Sequence, residues 1–292
     1  MKTVRKKKLR PEAVMGIIAA CQAVVLAILV VICLPYMEQP NDDPLYEIMQ
    51  NPPATTEAVA STDPTQTPLP EPARNPYDDQ DFQLDGRYLS CLRADTVPGV
   101  DVSYYQGNID WEQVADSGIE FAMIRVGYRG YGSGKLVEDE KFHQNIRGAL
   151  AAGLDVGVYF FSQALNVDEA LEEADFMLER IKNYDITMPV VFDWEFVNDE
   201  ARTAGMDRRT LTDCTLAFCR YMEEKGYQPM SYFNTFQMRN DLNIWELEDY
   251  PYWLALYKNR MTFPYEVEMW QYSCTGRVPG IQGDVDMNLY FP

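Results

Sequence analysis

The chain has 292 residues, and its 45 acidic residues outnumber its 25 basic ones, giving a formal net charge of −20. This acidity argues against a nucleic-acid partner, because such a surface repels phosphate backbones. The chain also has a single histidine, His143. That scarcity excludes multi-histidine zinc sites, and it leaves a Ser-His-Asp triad dependent on one residue of a predicted amphipathic helix.

A basic tail and a long apolar segment open the chain. Residues 1–12 contain six Lys and Arg residues, and residues 13–34 form a 22-residue stretch whose only strongly polar member is Gln22. This stretch is long enough to span a bilayer. We therefore predict a single-pass signal anchor at 13–34, with a cytoplasmic tail and an extracellular remainder. Alternatively, residues 18–21 resemble the cleavage box of bacterial lipoproteins, with Cys21 as the lipidated residue.

A linker is predicted from residue 35 to residue 96. Its first part is rich in proline and threonine and poor in residues that could form a core, which predicts a disordered, extended spacer. Residues 77–96 are acidic and mixed, and their sequence leaves open whether they pack on the domain that follows.

Short β-branched and aromatic runs then alternate with helical segments over residues 97–292. Strands are predicted at 99–103, 121–128, 156–162, 189–195, 230–234, 252–257, 268–273 and 285–290. Helices are predicted at 110–118, 139–152, 168–182 and 210–225. This alternation predicts an α/β fold with a parallel sheet or barrel. The last two links, 258–267 and 274–284, contain proline and are short. We therefore expect a TIM-like barrel of eight strands and about five helices.

Two carboxylates stand two residues apart at the end of the fourth predicted strand. On a strand, residues i and i+2 share a face, so Asp193 and Glu195 point to one side and Trp194 points to the other. The Cα atoms of the two acids would lie roughly 6.5 to 7 Å apart, close enough for each carboxylate to affect the ionisation of the other. A protonated acid beside a charged one is what glycosidic bond cleavage needs. The simpler interpretation is a pair of solvated charges.

Acids on the first and last predicted strands extend this pattern. Asp101 lies on the first strand, and Asp284 and Asp286 lie near the start of the last. Active sites of parallel barrels lie at the carboxyl ends of the strands, so the last pair fits only if its strand is displaced or antiparallel. An acid cluster of this composition suits glycoside hydrolysis, without a metal or other cofactor. A Mg²⁺ or Ca²⁺ site is the alternative.

The cysteines do not indicate a disulfide framework or a zinc site. Cys91, Cys214, Cys219 and Cys274 lack the close paired spacing of a metal knuckle. We expect isolated thiols, with a disulfide among them as the alternative.

Ordered motifs over residues 98–292 resemble the landmarks of the glycoside hydrolase family 25 lysozymes. These motifs are Gly-Val-Asp-Val-Ser at 99–103, Gln-Gly-Asn-Ile-Asp-Trp at 106–111, Phe-Ala-Met-Ile-Arg at 121–125, Gly-Val-Tyr at 157–159, Pro-Val-Val-Phe-Asp-Trp-Glu at 189–195, Trp-Leu-Ala at 253–255, Trp-Gln-Tyr-Ser at 270–273 and Val-Asp-Met-Asn at 285–288. The resemblance implies a flattened barrel of eight strands and five helices. It also implies a muramidase that cuts the β-1,4 bond between N-acetylmuramic acid and N-acetylglucosamine in peptidoglycan.

The resemblance also implies roles for the acids. Glu195 matches the general acid, and Asp193 matches the carboxylate that orients the acetamido group of the substrate for attack on the anomeric carbon. Asp101 and Asp286 match supporting acids. Many family members have histidine at the position of Phe160, so a subsite contact differs here.

Four further side chains are candidates for substrate binding. The aromatic residues Tyr105, Tyr159 and Trp270 could be sugar-stacking platforms or barrel core. Arg125 could hold a site carboxylate or form a buried structural pair.

The sequence thus leads to a membrane-anchored peptidoglycan muramidase whose partners are glycan strands and, through the anchor, the membrane. Two alternatives stay open. One is a glycosidase acting on chitin-like polymers, and the other is a catalytically silent barrel that binds glycans.

Overall fold

The computed structural model describes residues 72–292. The predicted tail, the signal anchor at 13–34 and most of the predicted linker lie outside the described residues. Within residues 72–292, no helix is both long and apolar enough to cross a membrane.

The described chain contains eleven strands and five α-helices. The strands are β1 (Phe82–Asp85), β2 (Tyr88–Cys91), β3 (Val97–Val102), β4 (Phe121–Arg129), β5 (Leu136–Glu138), β6 (Asp155–Ser162), β7 (Val190–Trp194), β8 (Pro229–Asn234), β9 (Tyr252–Ala255), β10 (Met269–Gly276) and β11 (Val285–Tyr290). The α-helices are α1 (Trp111–Asp116), α2 (Phe142–Ala151), α3 (Val167–Ile181), α4 (Arg208–Glu224) and α5 (Thr235–Asn240). Short 3₁₀ helices occupy Asp79–Asp81, Tyr104–Gln106 and Ile244–Leu247.

Eight of these strands close into a barrel in the order β3-β11-β10-β9-β8-β7-β6-β4, because β3 also pairs with β4. The short strand β5 adds to β4 outside the closed ring. The predicted barrel of eight strands and about five helices is therefore confirmed, although α5 and β5 were not predicted.

The last barrel strand runs against its neighbours. β11 is antiparallel to both β10 and β3, whereas the other neighbouring strands of the barrel pair in parallel. The start of β11 therefore lies at the carboxyl edge of the other strands. Asp286 consequently pairs directly with Asp101 of β3. This arrangement brings the acids of the first and last strands to the same end of the barrel.

Side chains alternate between the barrel interior and the helical layer. On β7, Val191 belongs to the interior cluster, whereas Phe192 and Trp194 belong to the cluster between barrel and helices. Phe192 packs against Phe218 of α4, with ring centroids 5.2 Å apart. The prediction that Trp194 faces the helices is thus confirmed, and Asp193 follows Val191 on the inward side.

Mostly apolar side chains fill the barrel interior. The interior cluster comprises Phe121, Met123, Tyr159, Met188, Val191, Met230, Tyr232, Trp253, Ala255 and Met269. Gly99 makes room for this packing, because a Cβ atom there would lie 2.3 Å from the ring of Phe121. The barrel is therefore a packed core whose polar groups collect at the carboxyl edge.

Side-chain caps fix where the main helices begin. The Asp110 carboxylate accepts a hydrogen bond from the Gln113 amide at 3.1 Å, as expected for the predicted cap of α1. Asn166 caps α3 and Asp207 caps α4 in the same way. Each cap fixes the residue at which its helix begins. The apolar faces of α3 and α4 pack against the barrel.

The structure corrects the predicted boundary at residue 97. β1 and β2 form an antiparallel hairpin, and Phe82, Tyr88 and Leu89 are buried. The ring of Phe82 meets Trp270 edge-on at 5.2 Å. Further upstream, the backbone N–H of Asn75 donates to the Pro264 carbonyl at 3.0 Å. The prediction missed these few apolar residues because an acidic stretch surrounds them, although the turn at Gly86 (φ 64°) separates two short strand-like runs.

Candidate active site

The four predicted acids come together at the carboxyl edge of the barrel. Asp193 is the last residue but one of β7, and Glu195 follows the strand. Asp101 of β3 and Asp286 of β11 face each other across the barrel sheet. Burial raises the pKa of Asp193, and the electrostatic effects of Glu195, Asp101 and Asp286 each raise it further, so the ionisation of the four carboxyl groups is linked.

Asp101 is the most fully hydrogen-bonded member of the cluster. It is 5% exposed, and its Oδ2 accepts hydrogen bonds from Asn288 Nδ2 at 2.7 Å and from Gln271 Nε2 at 2.9 Å. Burial raises its pKa above the usual range, and the two amide donors oppose this rise. Because both donors favour the charged carboxylate, Asp101 is suited to a fixed negative charge below the site.

Asp286 is the carboxyl neighbour of Asp101. A hydrogen bond between the two side chains lowers the pKa of Asp101 and raises that of Asp286, which favours a proton on Asp286. Burial, followed by the charge of Asp101, raises the pKa of Asp286 well above its usual range. The pair therefore keeps one negative charge instead of two.

Asp193 combines burial with an unused oxygen. It is 5% exposed, and its Oδ1 has no hydrogen-bond partner among residues 72–292. Burial, followed by the charge of Glu195, raises its pKa well above the usual range, and the positive charge of Arg125 opposes this rise. A buried oxygen without a partner is costly, so this position favours a ligand that offers an N–H or O–H group.

Glu195 has the protonation behaviour of a general acid. Burial, followed by the charge of Asp101, raises its pKa from 4.5 to about 7. A carboxyl group with this pKa holds its proton in much of the neutral range and can still release it. The structure therefore brings together an acid that can donate a proton and a second carboxyl group with a free oxygen.

Two of the aromatic candidates lie near the acids. Tyr159 of β6 is nearly buried, and its ring meets Trp253 edge-on at 6.0 Å. Burial and then the charge of Asp101 raise the pKa of its hydroxyl group well above the usual range. Tyr105 follows β3 in a 3₁₀ helix and is half-buried, with its ring 4.1 Å from that of Tyr104. Both remain candidate contacts for a sugar.

Arg125 takes the second of its two predicted roles. Its side chain is completely buried, and its Nε lies 2.9 Å from Asp139 Oδ2 in an ion pair that is equally buried. Its guanidinium also lies 5.3 Å from the ring centre of Tyr104 and 5.6 Å from that of Tyr105. Its guanidinium is held by the buried ion pair with Asp139, and it acts on the site through its charge on Asp193.

The structure contradicts the interpretation of Trp270 as a platform. Its neighbour Met269 faces the interior, so Trp270 points out of the barrel. It is fully buried under the hairpin, where its Nε1 donates to the Leu256 carbonyl at 2.8 Å. Phe160 also faces outward and packs on Phe176 of α3, with ring centroids 5.6 Å apart, so it forms no subsite.

Sequence analysis missed several polar and aromatic residues around Asp101. Gln271 accepts hydrogen bonds from the hydroxyl groups of Tyr232 at 3.0 Å and Tyr257 at 3.1 Å. Asn288 accepts one from Trp253 Nε1 at 2.9 Å. Strand alternation could have identified Asn288, which is two residues from Asp286, and Gln271, which is two residues from the inward-facing Met269.

The acids and the cysteines are the side chains that could bind a metal ion or form a disulfide. Within the described residues, no group of three or more His, Cys, Asp or Glu side chains is arranged to hold a metal ion. Cys91, Cys214 and Cys219 are buried free thiols, and Cys274 is an exposed free thiol.

Comparison with known proteins places this site in a family. Residues 100–281 match the family model described as glycosyl hydrolases family 25. The chain is 29% identical to lysozyme M1 of Streptomyces globisporus over 216 residues, which cover 70% of this chain and 71% of that protein. It is 26% identical to the autolytic lysozyme of Clostridium acetobutylicum over 195 residues, which cover 66% of this chain and 56% of that one.

Solved structures agree with this assignment. The modular autolysin LytC of Streptococcus pneumoniae has a TM-score of 0.59 at 28% identity, over 67% of this chain and 47% of LytC. A lysozyme of Streptomyces coelicolor has a TM-score of 0.53 at 26% identity, over 66% of this chain and 91% of that one. The chain thus spans about half of LytC and most of the S. coelicolor enzyme. From its sequence match and its barrel, this chain belongs to the glycosyl hydrolases of family 25 and is a glycoside hydrolase.

Proposed function

We propose that this protein is a membrane-anchored muramidase that hydrolyses the β-1,4 bond between N-acetylmuramic acid and N-acetylglucosamine in peptidoglycan. The observation that carries the proposal is the pairing of Glu195, with a pKa of about 7, and Asp193, whose buried Oδ1 has no partner within residues 72–292. Together they offer a proton for the leaving oxygen and an acceptor for an N–H group of the sugar.

In this mechanism Glu195 protonates the glycosidic oxygen as the bond to the anomeric carbon breaks. The acetamido oxygen of the same sugar attacks the anomeric carbon and forms a cyclic oxazolinium intermediate. Glu195, now ionised, then removes a proton from the water that opens this ring. Two successive displacements at the anomeric carbon leave the product with its original stereochemistry.

Asp193 directs this chemistry by accepting the acetamido N–H. That hydrogen bond favours the ionised form of Asp193, so the proton shared by the two acids stays on Glu195. The negative charge of Asp193 also stabilises the positive oxazolinium ring. Substrate binding thereby selects the one protonation state in which the acid and the orienting carboxylate are both ready.

The supporting acids and aromatic residues complete the proposed site. Burial and then the charge of Asp101 raise the pKa of Glu195 and help it hold its proton. Tyr159 and Tyr105 are the proposed sugar contacts, and the half-exposed Tyr257 adds an aromatic face near Glu195 and Asp286.

The relatives support peptidoglycan as the substrate. Lysozyme M1 and the autolytic lysozyme are named for this activity, and LytC has been solved with a synthetic peptidoglycan ligand. The basic residues of 1–12 and the apolar stretch at 13–34 support a single-pass anchor with the barrel outside the cell.

The substrate and the bond can be tested together. The full-length protein in detergent is incubated with purified peptidoglycan, and the fragments are reduced with borohydride and identified by mass spectrometry. New reduced N-acetylmuramic acid ends would support the muramidase, whereas reduced N-acetylglucosamine ends would contradict the assigned bond. Cleavage of chitin oligomers alone would favour the chitin-like alternative. Binding without cleavage would favour the silent barrel.

A further inference from the structure

Buried side-chain amides hold the peptide groups on both sides of Glu195. The carbonyl of Trp194, which precedes Glu195, accepts a hydrogen bond from Gln237 Nε2. The carbonyl of Glu195 itself accepts one from Gln163 Nε2 at 2.9 Å. The ladder of β7 with β8 ends at Asp193 and its ladder with β6 ends at Trp194. The two glutamines therefore continue the hydrogen bonding of β7 past the point where its strand neighbours stop.

Gln163 is fixed in the orientation that this contact requires. It is completely buried just past the end of β6, and its Oε1 accepts a hydrogen bond from Thr203 Oγ1 at 2.6 Å. Its Nε2 also donates to the Ser162 carbonyl at 2.9 Å. Because Thr203 donates to the side-chain oxygen of Gln163, the side-chain nitrogen of Gln163 points towards the Glu195 carbonyl.

Gln237 is fixed by the cap of helix α5. Its Oε1 accepts a hydrogen bond from the backbone N–H of Asn234 at 2.8 Å. The Asn234 side chain in turn accepts one from the backbone N–H of Gln237 at 3.0 Å. This reciprocal capping box holds the glutamine at the carboxyl end of β8. Its amide nitrogen is then free to donate to the Trp194 carbonyl.

The two contacts determine where the Glu195 side chain points. Two peptide planes meet at the Glu195 Cα atom, and one glutamine holds the carbonyl group of each plane. The orientation of these planes sets the direction of the Cα–Cβ bond. Neither glutamine donates to the Glu195 carboxyl group in these contacts. This leaves both carboxyl oxygens available for proton transfer.

We propose that Gln163 and Gln237 are positioning residues that aim Glu195 at the glycosidic oxygen through the backbone. The inference rests on the proposed role of Glu195 as general acid. A misplacement of about 1 Å in a reacting group can reduce the rate about 100-fold. Loss of either contact should therefore lower kcat on peptidoglycan by about 10- to 100-fold with little change in KM.

The test compares the full-length Gln163→Leu and Gln237→Leu variants on two substrates. One is peptidoglycan, whose leaving oxygen needs a proton. The other is a dinitrophenyl β-glycoside of a disaccharide that ends in N-acetylmuramic acid, whose leaving group departs without one. The matched control is Gln228→Leu, since the exposed Gln228 donates through its side-chain amide to the half-buried Glu268 at the opposite end of the barrel. Because opening of the oxazolinium ring still needs Glu195 as a base, the two substrates are compared by kcat/KM, which reports the step that breaks the glycosidic bond. Positioning predicts a loss of kcat/KM on peptidoglycan and a near-normal kcat/KM on the activated glycoside.

Equal losses on both substrates, or kcat within twofold of wild type on peptidoglycan, would overturn the inference. If Gln163→Leu fails to fold, Thr203→Val removes only the donor that orients Gln163 and should show the same selective loss to a smaller degree. Adding Gln163→Leu to Glu195→Gln should cause no further loss on the activated glycoside. If Glu195→Gln alone retains activity on peptidoglycan, the assignment of the acid has failed, and that result is distinct from a failure of the two glutamines.

Discussion

Asp286 lies directly opposite Asp101 across the antiparallel pair of β11 and β3, and the two carboxyl groups share a hydrogen bond. This pairing depends on the reversed direction of the last strand. In a fully parallel barrel, an acid at the start of the last strand would lie at the far end from Asp101. The antiparallel closure therefore completes the acid cluster.

Removing the Asp101 carboxylate should destabilise the fold as well as the site. Asp101→Ala leaves the buried amides of Asn288 and Gln271 without their acceptor, which costs about 1 to 3 kcal/mol for each unsatisfied group. Asp101→Asn keeps an oxygen acceptor and should cost less. Urea unfolding of both variants measures the difference. Equal free energies of unfolding for Asp101→Ala and wild type would contradict this account of the network.

The raised pKa of Glu195 predicts a defined dependence of stability on pH. Its pKa is about 7 in the folded protein and 4.5 ordinarily, so between these values the folded state binds a proton that the unfolded state releases. The free energy of unfolding should therefore fall as the pH rises from about 4.5 to 7 and level off above it. Glu195→Gln lacks this titration. The free energy of unfolding of Glu195→Gln, measured relative to wild type, should therefore rise by about 1 to 3 kcal/mol between pH 4.5 and 7.

Urea unfolding at several pH values between 4.5 and 8.5 measures this difference. The matched control is Glu120→Gln, an exposed residue next to the start of β4. This control measures the effect of the same exchange away from the acid cluster. A difference for Glu195→Gln that does not change with pH would show that the proton of Glu195 is not held by the fold.

The proposed role of Asp193 in orienting the acetamido group predicts that the enzyme forms no covalent bond to its substrate. If Asp193 orients the acetamido group, a fluorinated glycoside that slows turnover should leave the peptide containing Asp193 unmodified. A thiazoline analogue of the oxazolinium intermediate should inhibit the enzyme. Mass spectrometry of the digested protein distinguishes the routes. A stoichiometric adduct on Asp193 would make it the nucleophile.

The proposed anchor predicts a specific proteolytic fragment. Protease added to intact protoplasts should cut the proposed linker between residues 38 and 72 and release the barrel. Cleavage should stop before Asn75, whose backbone is hydrogen-bonded to Pro264. Fragment masses locate the cut. Complete protection of the barrel would mean that the predicted orientation is reversed.

The sequence predicted the barrel and the position of the acids because both follow from local patterns. The spacing of Asp193 and Glu195 places them on one side of a strand, and the eight apolar runs become the eight barrel strands. Alternation along β10, whose Met269 faces the interior, would have placed Trp270 outside the barrel. The contacts of Gln163 and Gln237 with the residues around Glu195 span long stretches of chain. No local pattern indicates such contacts.

The most direct test of the central claim is the rate at which full-length Glu195→Gln hydrolyses purified peptidoglycan, measured as the release of reducing ends. Because proton donation contributes at least about 100-fold, the variant should retain no more than about 1% of the wild-type kcat. Its circular dichroism and its unfolding transition should show an intact fold, and the Glu120→Gln control should keep wild-type activity. Hydrolysis by Glu195→Gln at a rate near that of wild type would contradict the assignment of Glu195 as the acid.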